Sequence, residues 1–384
     1  MKERINRQVA KIQFSGIRSF SQEVASVEGI ISMTIGEPEF STDQSIKDAA
    51  IEALTNDFTH YPPSVGFADL RTKILSFEKE KHGLDYRIDE VLITNGATSG
   101  LAAVFMALLN PGDEVVIPEP MYVAYAPMIA YCQAVLVPLD TTADLYQIDE
   151  AKLRACVSEK TKILVLTSPN NPTGCVYDQK SIDIIATVAK EFGFFVVSDD
   201  VYNQLVYVDP LPTITDVKEL RDQIVICQSL SKPYAMTGWR IGYVLAEASV
   251  LKEIAKIHQY LVTGISSISQ KAAIVALDTD ASKVREIYRH RRDIAMEVFA
   301  EMGLPCVKPE GAFYLFPDIS EFRMDSLTFC RKAAYEYKVA LVPGIYFGPS
   351  ADRNIRISYA CKEEDLIEGL RRLHRMIDDL RNAS

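Results

Sequence analysis

The sequence predicts an α/β fold: a large domain with a mainly parallel sheet sandwiched by helices, joined to a smaller α+β domain. Three observations carry that expectation. Apolar, β-branched runs alternate with helix-length segments between residues 91 and 198, and a further such run follows at 224–227. This is the pattern of strands joined by helical crossovers and buried on both faces. Small and polar residues stand at the carboxyl ends of several runs, the edge where open sheets bind ligands. Beyond residue 280 the alternation gives way to longer helices separated by isolated strands. The expected division is an N-terminal arm with part of the small domain at 1–45, a large domain at 46–280 and a small C-terminal domain at 281–384.

Composition limits the partners. The 384 residues carry 41 Lys and Arg against 52 Asp and Glu, a net charge of -11. That balance argues against nucleic acid and for small-molecule partners. The seven cysteines are scattered, with no Cys-x-x-Cys pair and no histidine at ligand spacing, so they read as buried thiols in a reducing compartment, with no metal. The start is charged, and no run approaches the ~18 apolar residues of a membrane span. A cytoplasmic chain without a membrane partner is expected.

In chain order, residues 1–30 space Val9, Ile12, Phe14, Ile17 and Phe20 loosely like a helix, fitting an arm or first helix. A short strand at 30–35 ends in Gly36-Glu37-Pro38, where a glycine lets the backbone approach a ligand closely. Helices are expected at 43–57, with Asp43 as cap, and at 69–82, separated by a Pro-Pro loop that contains Tyr61. The strand 91–94 runs through Asn95-Gly96-Ala97-Thr98-Ser99-Gly100 into a helix at 101–109. Such a turn offers unpaired N–H groups to an anion.

Strands at 114–117, 134–138, 162–167 and 194–198 and helices at 122–131 and 178–192 continue the alternation. After Gly242 the chain reads as helical to about residue 304, with its clearest helices at 250–263 and 282–302. Strands at 311–316 and 355–360 and helices at 325–338 and 363–380 complete it.

Three strand ends hold the candidate chemistry. Residues 167–174 contain two prolines and two asparagines, a rigid turn whose amides would point at a ligand. The strand 194–198 runs into Asp199-Asp200-Val201-Tyr202. The run 224–227 is followed by Ser229-Leu230-Ser231-Lys232 and then Gly238-Trp239-Arg240-Ile241-Gly242. Two hydroxyls and a forked cation suit a phosphate. A lysine amine partly desolvated near other cations has a lowered pKa and forms Schiff bases. No Gly-x-Gly-x-x-Gly follows the early strands, which excludes the dinucleotide-binding fingerprint.

Ser-Pro-Asn-Asn-Pro-Thr-Gly at 168–174, Asp199 with Tyr202, Ser229-Leu-Ser-Lys232 and Gly-Trp-Arg240-Ile-Gly resemble the class I aminotransferases, pyridoxal-phosphate (PLP) enzymes of fold type I. The closest look is to the bacterial aromatic and N-acetyl-diaminopimelate aminotransferases. The resemblance implies an aminotransferase that passes an amino group from an L-amino acid to a 2-oxo acid, with 2-oxoglutarate as acceptor. Its alternative is a PLP-dependent carbon–sulfur β-lyase, which uses the same residues. A PLP-dependent transcriptional regulator is not expected, because the motifs begin near residue 35.

By the same resemblance Lys232 would hold PLP and carry protons, Asp199 would pair with the pyridine nitrogen, and Tyr202 and Asn171 would hydrogen-bond the ring oxygen. Ala97, Thr98, Ser229 and Arg240 would bind the phosphate, with Ser231 assisting. Tyr61 would reach the phosphate of a neighbouring subunit, making a homodimer with shared sites. Tyr122 would stack on the ring, while Gly36, Asn171 and Arg356 would take the substrate carboxylate. Phe14, Ile17 and Tyr346 are candidates for an apolar side-chain pocket, with core packing an equal account.

Overall fold

The computed structural model describes residues 4–383. Strands are β1 (Ile31–Ser32), β2 (Val91–Thr94), β3 (Glu114–Glu119), β4 (Val135–Asp140), β5 (Thr161–Thr167), β6 (Phe195–Asp199), β7 (Ile224–Ser229), β8 (Gly242–Leu245), β9 (Tyr314–Leu315), β10 (Val339–Ala340), β11 (Val342–Pro343) and β12 (Ile355–Ser358). Helices are α1 (Gly16–Val24), α2 (Gln44–Thr55), α3 (Ala68–His82), α4 (Gly96–Leu108), α5 (Tyr125–Tyr131), α6 (Glu150–Cys156), α7 (Gln179–Phe192), α8 (Ala248–Val262), α9 (Ser267–Ala276), α10 (Ser282–Met302), α11 (Ser326–Tyr337) and α12 (Glu363–Asn382). None is long and apolar enough to cross a membrane, among the described residues.

The central sheet has seven strands in the order β2-β8-β7-β6-β5-β3-β4. Only β8 runs antiparallel to its neighbours, so the expected mainly parallel α/β sheet is what forms. Period-two alternation assigns its side chains to two layers. Val91, Ile93, Leu164, Val196, Ile224 and Leu245 pack on one face with residues of α2, α3, α7 and α9. Leu92, Ile163, Val165, Val197, Val225 and Val244 pack on the other with residues of α4, α5 and α8. Each such fully buried aliphatic side chain is worth roughly 1.5–3 kcal/mol.

A second core gathers Phe20 and Val24 of α1, Met33, and residues of α10, α11, α12, β9, β10 and β12. Here β1 pairs in parallel with β10, and β12 lies between β11 and β9. Tyr202 and Leu205, which follow β6, belong to this core.

Several expectations are corrected. The helix expected from residue 122 starts at Tyr125, because residues 122–125 first form a turn in which Tyr125 N donates to Tyr122 O at 3.3 Å. The strand expected at 311–316 shrinks to Tyr314–Leu315. Ahead of it, Gly311 N donates to Gly174 O and Ala312 N to Leu205 O, so those groups bind loops of the large sheet instead of a neighbouring strand. The stretch after Gly242 begins as β8 before it becomes helical as expected, with α9 inside that stretch, and α6 is a helix that the apolar spacing did not reveal. Asp43 does cap α2, accepting from Ser45 N at 2.8 Å.

Candidate active site

Register brings the central strand ends together. Thr167 pairs with Asp199, and Asp199 with Cys227, across β5, β6 and β7. The turns beyond these positions carry Asn171, Tyr202 and Lys232, so three separate sequence segments converge on one edge of the sheet.

Asp199 is buried. Its Oδ2 accepts from the Tyr125 hydroxyl at 2.6 Å, while Oδ1 has no hydrogen-bond partner. Burial raises its carboxyl to about 6. An orphaned buried acceptor costs free energy until a donor reaches it. Tyr125 also meets Thr167 Oγ1 at 2.7 Å. Tyr122 stands edge-on to Tyr125, ring centroids 5.5 Å apart.

Lys232 is partly buried as a residue, but protein surrounds its amine. Nζ donates to Gly36 O at 2.5 Å. Desolvation lowers its pKa to about 8, opposed by Glu37 and assisted by Arg356 and Arg240. About a tenth of the amine is therefore free at pH 7, far more than in an exposed lysine.

The anion cradle lies where α4 meets β7 and β8. Asn95 makes no side-chain cap, leaving the first N–H groups of α4 free of that partner. Ala97 is buried there and Thr98 is exposed. Ser229 Oγ donates to Ser231 Oγ at 2.9 Å, and both serines are buried. Arg240 adopts a left-handed φ of 53° and donates to Thr237 O at 2.9 Å. Its guanidinium lies against Gly96, where a Cβ would come within 2.7 Å of Nη2. Backbone donors, hydroxyls and one forked cation converge here.

Arg356 is the buried cation on the opposite side. Its Nη1 donates to Asn171 Oδ1 at 3.0 Å and Nη2 to Thr34 O at 2.8 Å, whereas Nε has no partner. Its guanidinium stacks over Tyr314 at 4.5 Å and Phe347 at 5.1 Å. Desolvation lowers its pKa. No carboxylate pairs with it among the described residues. A buried unpaired cation is expensive, and a ligand carboxylate relieves that cost.

Tyr61 joins no site within one chain: it is 88% exposed, on a loop beside α9. Ile17 and Tyr346 pack on the Phe316–Phe347 cluster, and Phe14 projects from the surface. Reading the sequence missed Tyr125 and Thr34, which contact Asp199 and Arg356. It also missed Tyr314, whose hydroxyl lies 2.8 Å from that of Tyr202. A separate cavity of about 550 Å³, lined by Ser198, Asp200, His82 and Asn203 among others, includes none of Lys232, Asp199, Tyr202 and Arg356.

The family Aminotransferase class I and II matches residues 28–373. This chain belongs to that family. It is 40% identical over its whole length to the probable N-acetyl-LL-diaminopimelate aminotransferase of Bacillus subtilis, covering 98% of that protein. The aspartate aminotransferase of Thermotoga maritima superposes with a TM-score of 0.93 at 34% identity, covering 97% of this chain and 100% of the other. The aromatic aminotransferase of Pyrococcus horikoshii gives 0.89 at 34% identity, over 94% and 99%.

This aminotransferase is a PLP-dependent transaminase, acting on amino and oxo acids. The residues present fit that cofactor. A buried amine of lowered pKa suits its aldehyde, the orphaned Oδ1 of Asp199 suits a ring N–H, and the α4–Arg240 cradle suits its phosphate.

Proposed function

We propose that this aminotransferase passes the amino group of an L-amino acid to 2-oxoglutarate by a ping-pong mechanism, with an aromatic or N-acetyl-diaminopimelate-like donor. The observation that carries the reading is Arg356, a buried guanidinium without a carboxylate partner, facing the same space as Lys232 and Asn171. Its fork suits the α-carboxylate shared by every amino and oxo acid. The donor class rests on the names of the relatives, which differ among themselves.

When bound, PLP supplies an aldehyde that condenses with amines and a ring that draws electrons from the substrate α-carbon. Lys232 holds it and afterwards moves the proton at the α-carbon. Asp199 accepts the ring N–H, and Tyr125 keeps that carboxylate aimed. Tyr202 donates to the ring oxygen, with Asn171 beside it. Ser229, Arg240, Thr98 and the Ala97 N–H hold the phosphate, with Tyr122 against the ring. Gly36 and Asn171 complete the carboxylate site. The regions 46–280 and 281–384, the latter with part of 1–45, act as large and small domains that close over the substrate and exclude water.

A homodimer with shared sites is part of the proposal. Tyr61 is exposed and unused within its own chain, and Met106, Tyr131, Tyr260 and Leu261 form an exposed apolar patch around a groove of about 410 Å³. Seven free cysteines support a reducing, cytoplasmic compartment. An amino-donor panel with 2-oxoglutarate tests the reading: glutamate formation from an aromatic or acylated diamino donor is expected. Pyruvate release from cystathionine without any oxo acid would replace it with the β-lyase.

A further inference from the structure

Tyr314 is buried at the meeting point of three groups that the proposed reaction needs. Its hydroxyl lies 2.8 Å from that of Tyr202. Its ring lies beneath the Arg356 guanidinium at 4.5 Å. A Cβ on Gly36 would come within 2.5 Å of its Oη, so only glycine leaves room for that hydroxyl. The ring also stands edge-on to Tyr202, 5.8 Å away, and β9 fixes its backbone by pairing Tyr314 with Ser358 of β12.

We propose that Tyr314 is a positioning residue with two separable roles: its hydroxyl donates to the Tyr202 oxygen and sharpens Tyr202 as a donor, and its ring fixes the Arg356 fork. The inference rests on the reading of Tyr202 as the partner of the cofactor's ring oxygen. Burial raises both phenols, so both keep their protons at neutral pH. With the Tyr202 O–H donating to the cofactor's ring oxygen, the Tyr202 oxygen is free to accept from Tyr314. A donor that itself accepts a hydrogen bond is polarised and donates more strongly. A stronger donor stabilises a deprotonated ring oxygen and holds the pH midpoint of the cofactor's visible absorbance down. The other titratable groups facing this space are Glu37, Asp199, Arg240 and Arg356 around Lys232, and Arg356 with the neutral Tyr122 around Tyr202.

The test is a spectral pH titration of the PLP-loaded enzyme with steady-state kinetics. Tyr314→Phe keeps the ring and loses the hydroxyl. Its absorbance midpoint should rise by about 0.5 unit, less than in Tyr202→Phe, with the KM for amino acid within about twofold of the parent. Tyr314→Leu loses the ring as well and should raise that KM roughly fivefold. Tyr202→Phe and the double variant Tyr202→Phe/Tyr314→Phe should share one midpoint, because the Tyr314 hydroxyl reaches the cofactor only through Tyr202. Incorporating 3-fluorotyrosine at 314, a stronger donor of nearly the same shape, should lower the midpoint and covers the case in which Tyr314→Phe folds poorly. An unmoved midpoint in Tyr314→Phe, or additive shifts in the double variant, overturns the inference. If Tyr202→Phe moves the midpoint and Tyr314→Phe does not, only the role of Tyr314 falls. If neither moves it, the role of Tyr202 falls as well.

Discussion

At the scale of the residue, Arg356 and Lys232 are two cations that the fold desolvates, and each has a measurable consequence. Lysine at 356 would keep the charge but lose the fork that holds Asn171 and Thr34. Arg356→Lys should therefore raise the KM for amino acids ~10–100-fold, on the scale of one charge-assisted bidentate contact. Lys232 is held to about 8 chiefly by desolvation. A lowered lysine pKa means that the free amine appears at lower pH, so labelling of Lys232 by an amine-reactive reagent should rise with a midpoint near 8, against ~10.4 for exposed lysines. Peptide mapping of the cofactor-free protein reads that midpoint directly. The strand-end motifs made Lys232, Asp199, Tyr202, Asn171 and Arg240 legible, whereas Arg356, inside β12, was legible only through the family resemblance. Tyr125 was not legible. It lies three residues from Tyr122, and only the true start of α5 decides which tyrosine turns inward.

At the scale of the element, β8, like the two-residue β10 and β11, is a strand that apolar spacing failed to reveal, since Gly242–Leu245 is short and opens with glycine. That glycine is required by proximity. A Cβ at 242 would overlap Gln228 O and come within 3.0 Å of Ala97 N, both backbone atoms that cannot swing aside. Gly242→Ala should destabilise the fold by ~1–3 kcal/mol in a denaturant titration, as overpacking does, and weaken PLP retention by spreading α4 from β7. The helix α9 lies within the stretch expected to be helical, yet it did not stand out there as α8 and α10 did. Its buried face is built from Ser267, Ser269, Gln270, Ala272, Ala273 and Ala276, small or polar side chains that leave little apolar signal. The strands β2, β5, β6 and β7 were visible because they are buried on both faces.

At the scale of the whole molecule, the outer surface carries features that one chain does not use. Tyr260 is 88% exposed beside Met106, Tyr131 and Leu261. If that patch is the homodimer interface, Tyr260→Asp should shift the sedimentation mass from two chains towards one. The class of the fold was readable from alternation alone, whereas partner surfaces were not, because a docked aromatic and a buried one look the same in a sequence. Tyr202 and Leu205 leave the central sheet and end inside the second core, among Phe313, Tyr314 and Tyr359. That placement ties the second core to the segment after β6, a tie that domain closure can bend but unfolding must break. Melting either one tears side chains out of the other, so the chain should lose both in a single cooperative transition.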